Sequence, residues 1–399
     1  MTKEQHVFLD IIADHLCGRK TIPPEEVDWT RVVQYSKSHQ LEGLFYHQLR
    51  DYFSGKQKYE DIAKQMETAK IACICLYITN TQAYDEIEKA FRSERIRFFS
   101  VKGLEVAAFY PIPAYRTMGD LDIIVFPEDR AKAAAILEKL GYLLLANDYV
   151  LHYKKGHLNL ELHDHLLYKR SLENANRKKF FDTCWKYANT NSNTKNPLDN
   201  SFHYLFLVEH TKKHFRATGI GFRQFMDLAV FAQKCPDLDW EWIKKQLQKI
   251  DLWRFAVTAH TFIQLWWGID SPFDLEKIDE LFFEEGTKYI FNSGVFGFDN
   301  NDYMIYAAET RMSLKKYPKV LLPFIIFLRK IFLSYDELTM VPFCSFVIGR
   351  KWLYPIGILY RIIYVLFNRK ERIDNQYKVL FGSQTVMDEH KKLMGKWGV

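Results

Sequence analysis

Two aspartates one residue apart, Asp120 and Asp122, lie at the start of the apolar run DLDIIVF. Alternate side chains of a strand point to the same side, so both carboxylates are expected on one face and Leu121 on the other. Two like charges side by side are unfavourable unless a cation or a proton lies between them. The spacing therefore indicates a divalent-metal site, although a solvated strand edge or a turn also fits D-x-D alone.

A third carboxylate, Glu161, lies in the segment HLNLELHDH, where leucines alternate with polar residues. The alternation places Glu161 and His163 together on the face opposite the leucines. If this segment pairs with the DLDIIVF strand, Asp120, Asp122 and Glu161 form one cluster. Carboxylate oxygens are ligands that suit Mg²⁺ or Mn²⁺ bound together with phosphates. The three acids thus predict phosphoryl chemistry.

A Lys-Gly pair, Lys102 and Gly103, ends the β-prone run RIRFFSVKG that precedes the aspartates. Glycine lets the backbone approach a phosphate closely, and lysine supplies a positive charge. Arg116, four residues before Asp120, is a further candidate phosphate ligand. The cations and the acids together favour an anionic, metal-bound substrate.

The elements that must position these residues follow from periodicity. Residues 95–170 predict strand, helix, strand, helix, strand, strand, with the helix PEDRAKAAAILEKLGY opening at Pro127 and stopping at Gly141. The flanking sequence has helical periodicity. The predicted class is α+β and mostly α: a small mixed sheet with flanking helices, between an N-terminal helical segment and a large C-terminal helical region. The predicted boundaries give an N-terminal helical segment at 1–94, the α/β core at 95–170, a polar linker at 171–200 and a C-terminal helical domain at 201–399.

Four motifs, VKGLEVAAFYPIPAYR, GDLDIIV, KLGY and LELH, occur in an order and spacing that resemble a known family. They are similar to the nucleotidyltransferases of the DNA polymerase beta superfamily, specifically to an uncharacterised nucleotidyltransferase family found mostly in bacteria. The resemblance is strong through residues 95–170 and extends more weakly into the helical remainder. It implies that the mixed sheet is of the nucleotidyltransferase type.

The resemblance also implies roles for the candidate residues. Asp120 and Asp122 would bind metal, and Glu161 would lie near the acceptor hydroxyl as a ligand or a base. The nucleotide contacts would come from Lys102, Gly103, Arg116 and Gly119. The implied reaction is in-line attack of an acceptor hydroxyl on the α-phosphorus of an NTP, with ATP preferred and Mg²⁺ or Mn²⁺ as cofactor.

One position departs from the superfamily pattern. Leu104 stands where a phosphate-contacting serine is typical after the first strand. A non-catalytic nucleotide-binding adaptor or sensor on the same fold is therefore the alternative to an enzyme.

The helical half carries two further pairs spaced four residues apart. His210 and His214 share a helix face, a spacing compatible with zinc, but the glutamate of HExxH is missing. Exposed or capping histidines and a nucleotide- or acceptor-facing role are the other interpretations. Arg223 and Asp227 fit a helix-surface ion pair, and the resemblance adds a site role. All four are predicted nucleotide-binding residues.

Composition limits the partners and the setting. The 399 residues carry a net charge of +6, which fits an anionic substrate such as an NTP at least as well as a long nucleic acid. The sequence does not identify the acceptor, for which a small molecule, a sugar or a protein is expected. No strongly basic stripe accompanies the site, so a long nucleic acid is not expected, and nucleic-acid polymerase or tRNA-processing activity is a weaker third hypothesis. Scattered cysteines without CxxC motifs and an N-terminus unlike a signal peptide favour the cytoplasm. The apolar stretches 317–333 and 352–367 predict buried helices. A membrane-surface contact is the less favoured alternative for them.

Overall fold

The computed structural model describes residues 1–24, 26–147, 150–167, 175–189, 198–217, 219–294, 332–333, 335, 338, 342–347, 349–368 and 384–399. The chain divides into two compact units. The first comprises Met1–Phe215, Gly219–Gly297 and Trp397–Val399, and the second comprises Arg216–Thr218 and Phe298–Lys396. The domain boundaries drawn from the sequence stay a prediction.

Four helices open the chain: α1 Lys3–Cys17, α2 Trp29–Ser38, α3 Glu42–Phe53 and α4 Glu60–Ser93. The start of α1 is fixed by a capping box in which Thr2 and Gln5 satisfy each other's backbone N–H groups. Its end is fixed by Gly18 in the left-handed conformation, with φ +66°.

A five-stranded mixed sheet follows, with strand order β1-β2-β5-β4-β3. The strands are β1 Phe98–Val101, β2 Asp120–Val125, β3 Leu143–Asn147, β4 Leu151–Lys155 and β5 Leu158–His163, and the helices between them are α5 Gly103–Ala107 and α6 Arg130–Lys139. Among the described strands, β2 and β5 pair in parallel, and the other three pairs are antiparallel. The structure confirms the predicted α+β, mostly helical class. Leu143–Asn147 and Leu151–Lys155 form two strands where the sequence predicted one, so the predicted count was one strand short.

One face of the sheet forms an apolar core. Leu121, Ile123 and Val125 of β2 pack with the alternating leucines of β5 against the inner sides of α4 and α6. The alternation predicted from the sequence is therefore confirmed on both strands, and it leaves the polar residues of β2 and β5 on the opposite face.

The following part of the first unit is helical: α7 Ala175–Phe181, α8 Asn200–Ala217, α9 Phe222–Lys234, α10 Trp240–Lys249, α11 Trp253–Trp267 and α12 Glu280–Ser293. Its core is aromatic. Trp397 is completely buried and stacks on Phe262 with ring centroids 4.3 Å apart, and Phe215 contacts it from α8. The buried indole of Trp397 therefore serves packing.

The described part of the second unit contains α13 Tyr354–Asn368 and α14 Gln384–Lys396. The expected burial of stretch 352–367 is wrong for one side of α13, because Ile356 and Leu359 are 54% and 59% exposed. Ile358 packs into a small core with Leu338 and Val347. Of the stretch 317–333, residues 317–331 lie outside the described residues.

None of the described helices combines the length and the apolar character that crossing a bilayer requires.

The buried histidine His260 predicts acid sensitivity. It lies against the Tyr204 hydroxyl and is 1% exposed, and burial lowers its pKa from 6.5 to about 3. The unfolded chain takes up a proton below pH 6.5 that the folded chain does not, so stability is lost as the pH falls from 6.5 towards 3. His260→Gln removes this uptake. In urea titrations, the free energy of unfolding of wild type minus that of H260Q should fall by about 2 kcal/mol between pH 7 and pH 5.

The control is His157→Gln, the identical substitution at an exposed histidine, which removes no buried ring. A constant difference between wild type and H260Q would contradict the expectation.

Candidate active site

The parallel pairing of β2 and β5 places two predicted site carboxylates side by side. In the strand register Asp122 lies opposite Glu161. Asp122 is buried, with 6% of its side chain exposed, while 26% of the Glu161 side chain is exposed. The adjacency on which the sequence-based cluster depended is therefore present.

A histidine joins these two acids. His163 lies two residues after Glu161 on the same face, and its Nε2 is 3.1 Å from Glu161 Oε2 and 3.3 Å from Asp122 Oδ1. One ligand atom from each of the three residues lies within 4.8 Å of the others. On the neighbouring strand, His152 Nδ1 lies 3.2 Å from Glu161 Oε1. The strand alternation placed His163 on this face, but His163 was not among the predicted site residues, although its spacing of two residues from Glu161 was a signal.

Asp120 lies at the start of β2, two residues before Asp122. It is half-buried and pairs in register with Asn159. Burial, followed by repulsion from Asp122 and Glu161, raises its pKa to about 6. Its carboxylate is not one of the three close ligand groups found in the described residues. Its role as a metal ligand stays a prediction.

Lys102 directly follows β1 and reaches Asp122. Its Nζ lies 2.7 Å from Asp122 Oδ1 and 3.4 Å from His210 Nε2. Its backbone has φ +59° and ψ −132°, an unfavourable conformation for a residue with a side chain, and Gly103 follows with φ +27°. Burial alone would raise the pKa of Asp122, but the charge on Lys102 and a hydrogen bond with His163 hold that pKa well below its ordinary value.

Three histidines spaced seven and four residues apart on α8 face this cluster. The Lys102 backbone N–H donates to His203 Nε2 at 3.1 Å, and the His210 and His214 rings lie 4.5 Å apart. Burial, then the charge on Lys102, lowers the pKa of His210, and burial, then the charge on Lys213, lowers that of His214 to about 4. Both rings are therefore neutral at pH 7. His210 lies beside Lys102, and nucleotide binding by His210 and His214 stays a prediction. His203 was missed, although it lies seven residues before His210.

Arg116 and Asp227 form a buried, bidentate ion pair. Arg116 Nε and Nη2 donate to the two carboxylate oxygens of Asp227 at 2.8 and 2.7 Å, and the Tyr110 hydroxyl donates to Asp227 at 2.7 Å. The predicted surface pair of Arg223 with Asp227 is wrong, since Asp227 is buried and Arg223 donates instead to the Thr117 carbonyl at 2.8 Å. The observed contacts of Arg116 and Asp227 are structural. Nucleotide binding by these two residues and by Arg223 stays a prediction.

Gly119 lies exposed immediately before β2, and a Cβ at this position would meet nothing within 4 Å. Packing therefore does not require glycine here. Its predicted nucleotide contact stays a prediction.

The donor set fits a divalent cation. Asp122 and Glu161 supply oxygens and His163 supplies a nitrogen, a combination that suits Mn²⁺ as well as Mg²⁺. Asp122 Oδ1 is buried, and it lies 2.7 Å from the Lys102 Nζ and 3.3 Å from the His163 Nε2. A buried carboxylate oxygen of this kind requires a cation.

The sequence was compared with models of known protein families, and the model described as "Uncharacterised nucleotidyltransferase" matches residues 25–268. The chain belongs to this family. The matched residues contain the whole sheet, α8, α9 and every candidate residue named above. Membership in the uncharacterised nucleotidyltransferase family supports nucleotidyl transfer as the general activity and an NTP as the substrate. The wider superfamily and a bacterial origin stay predictions. No curated protein and no solved structure matches the chain.

Proposed function

We propose that the protein is a cytoplasmic, divalent-metal-dependent nucleotidyltransferase of the DNA polymerase beta type. It transfers NMP, with AMP preferred, from an NTP to the hydroxyl of an acceptor and releases pyrophosphate. The observation that carries this proposal is the pairing of Asp122 with Glu161 in adjacent strands, with His163 within ligand distance of both.

In this proposal Asp122, Glu161 and His163 hold Mg²⁺ or Mn²⁺, with Asp120 as a further ligand. A bound cation would neutralise phosphate charge and lower the pKa of the acceptor hydroxyl. Lys102 lies at the edge of this cluster, where it can contact a phosphate oxygen.

The remaining groups position the substrates. His210 and His214 are neutral and can exchange hydrogen bonds with phosphate or acceptor oxygens. Asp120 and Glu161 are the carboxylates available to accept the hydroxyl proton. Because Glu161 is the more exposed of the two paired acids, it lies on the side that an acceptor can approach.

The test uses each of the four NTPs labelled at the α-phosphate, with Mg²⁺ or Mn²⁺ and a panel of hydroxyl acceptors that includes sugars and proteins. Wild type should transfer label and release an equal amount of pyrophosphate. The D120N/D122N variant should do neither, because both candidate ligand charges are lost. E128Q removes a mostly exposed acid in the turn after β2 and should retain full activity. Undiminished labelling by D120N/D122N would contradict the proposal.

A non-catalytic nucleotide-binding adaptor is the second candidate. Leu104 favours this candidate, because its side chain packs against the apolar core of the sheet and has no hydroxyl that could contact a phosphate. Calorimetry that shows ATP–Mg²⁺ binding, without pyrophosphate release for any acceptor, would favour this function over the enzyme.

A further inference from the structure

We infer that Lys102 is an exchangeable counterion, positioned by His203, which neutralises Asp122 until a divalent cation binds and then moves to a phosphate of the nucleotide. The inference rests on the proposed function, because it assigns a regulatory exchange to the same site.

The carboxylate of Asp122 is 6% exposed, and an isolated buried anion is strongly unfavourable. The Lys102 ammonium, 2.7 Å from Oδ1, is the nearest cation among the described contacts of Asp122. It therefore stabilises the folded chain whenever no metal ion is bound.

The Lys102 contact uses an Asp122 oxygen that a bound cation could also take. Oδ1 of Asp122 lies 3.3 Å from His163 Nε2. Asp122, Glu161 and His163 each bring one possible ligand atom within 4.8 Å of the others. An ammonium in contact with this oxygen and a divalent ion bound to it would repel each other at a separation of a few ångströms. Metal binding thus requires the Lys102 side chain to leave Asp122.

The Lys102 side chain can move towards α8. Lysine has a flexible four-carbon stem, and the Lys102 Nζ is already 3.4 Å from His210 Nε2, on the α8 side of the site. Since His210 is neutral, it does not repel the ammonium. The displaced Lys102 ammonium would contact the phosphate of an NTP bound between β2 and α8. Metal binding and nucleotide binding would then favour each other.

The backbone of Lys102 has an unusual conformation. Its positive φ is unfavourable and persists only where surrounding contacts fix it. The hydrogen bond from its N–H to His203 Nε2 is such a contact, and His203 is 2% exposed. His203 is therefore a positioning residue that acts through Lys102.

The test measures Mn²⁺ binding by electron paramagnetic resonance, first without nucleotide. Lys102→Met keeps the length of the side chain and removes its charge, so Mn²⁺ should bind roughly ten-fold more tightly than to wild type. With Mn²⁺ saturating, ATP should bind K102M roughly ten-fold more weakly. Lys102→Arg, which keeps the charge, should bind ATP close to wild-type affinity.

A second pair of variants tests His203. His203→Gln keeps an acceptor for the Lys102 N–H and should retain wild-type ATP affinity, whereas His203→Leu removes the acceptor and should weaken ATP binding as K102M does. If K102M folds poorly without metal, Mn²⁺ should raise its melting temperature more than that of wild type, which gives an independent readout.

Equal or weaker Mn²⁺ binding by K102M, or no Mn²⁺ binding by either protein, overturns the inference. Failure of the proposed function has a different signature. Wild type and K102M would then still differ in their Mn²⁺ and ATP affinities as described, but wild type would transfer no nucleotide.

Discussion

Asp122→Asn is expected to lower nucleotidyl transfer on the order of 10³-fold, equivalent to about 4 kcal/mol of transition-state stabilisation. Asp122 is the most buried of the three candidate ligands and contacts both His163 and Lys102. An amide at this position removes the anion that a cation needs while keeping the shape of the side chain. Initial rates of transfer from labelled NTP, at saturating Mg²⁺, would measure the loss.

The matched control is Asp129→Asn, an identical chemical change in the turn after β2, where Asp129 pairs with Arg97 at 2.8 Å. This pair is partly exposed and contributes about 1 kcal/mol or less, so D129N should keep near-wild-type activity. Mn²⁺ affinity without nucleotide should also fall in D122N and not in D129N. A D122N protein with wild-type rates would show that Asp122 is not part of the catalytic machinery.

The arrangement of the acids could be predicted from the sequence because it depends on local periodicity. Strand alternation places Asp122 opposite the apolar core, and the same alternation in β5 does so for Glu161. Only the register between the two strands had to be assumed, and the structure supplies it. Short-range patterns of this kind follow from backbone geometry alone.

The partners of the cations could not be predicted in the same way. Arg116 pairs with a residue 111 positions away, and the Lys102 N–H donates to a residue 101 positions away. Spacing along the chain contains no information about such contacts, because they depend on how α8 and α9 pack on the sheet. The spacing of Arg223 and Asp227 suggested a surface pair, but tertiary packing gave each of them a different partner.

His163 and His203 illustrate two intermediate cases. His163 could have been included in the metal site, since its position two residues after Glu161 already fixed its face. His203 has a recognisable spacing from His210, but its contact is with a backbone N–H whose conformation is unusual. A positive φ at a lysine cannot be read from the residue types.

Asp227→Asn is expected to lower the free energy of unfolding by about 3–5 kcal/mol, because it leaves the Arg116 guanidinium buried without its counter-charge. Arg116 and Asp227 are each 6% exposed, so solvent does not screen the lost charge. The pair joins the loop before β2 to α9, and its loss should loosen the connection between the sheet and the helices of the first unit. Urea denaturation followed by circular dichroism would measure the change.

Two further variants separate the ion pair from its surroundings. Tyr110→Phe removes only the hydroxyl that also donates to Asp227, so it should lower stability by about 1 kcal/mol. The double variant R116M/D227L removes both charges and replaces them with apolar groups, so it should be more stable than D227N, since no unpaired charge remains buried. If D227N and R116M/D227L were equally unstable, packing volume rather than the uncompensated guanidinium would account for the loss. If D227N were as stable as wild type, Arg116 would be free to serve another ligand, and its predicted contact with a nucleotide phosphate would regain support.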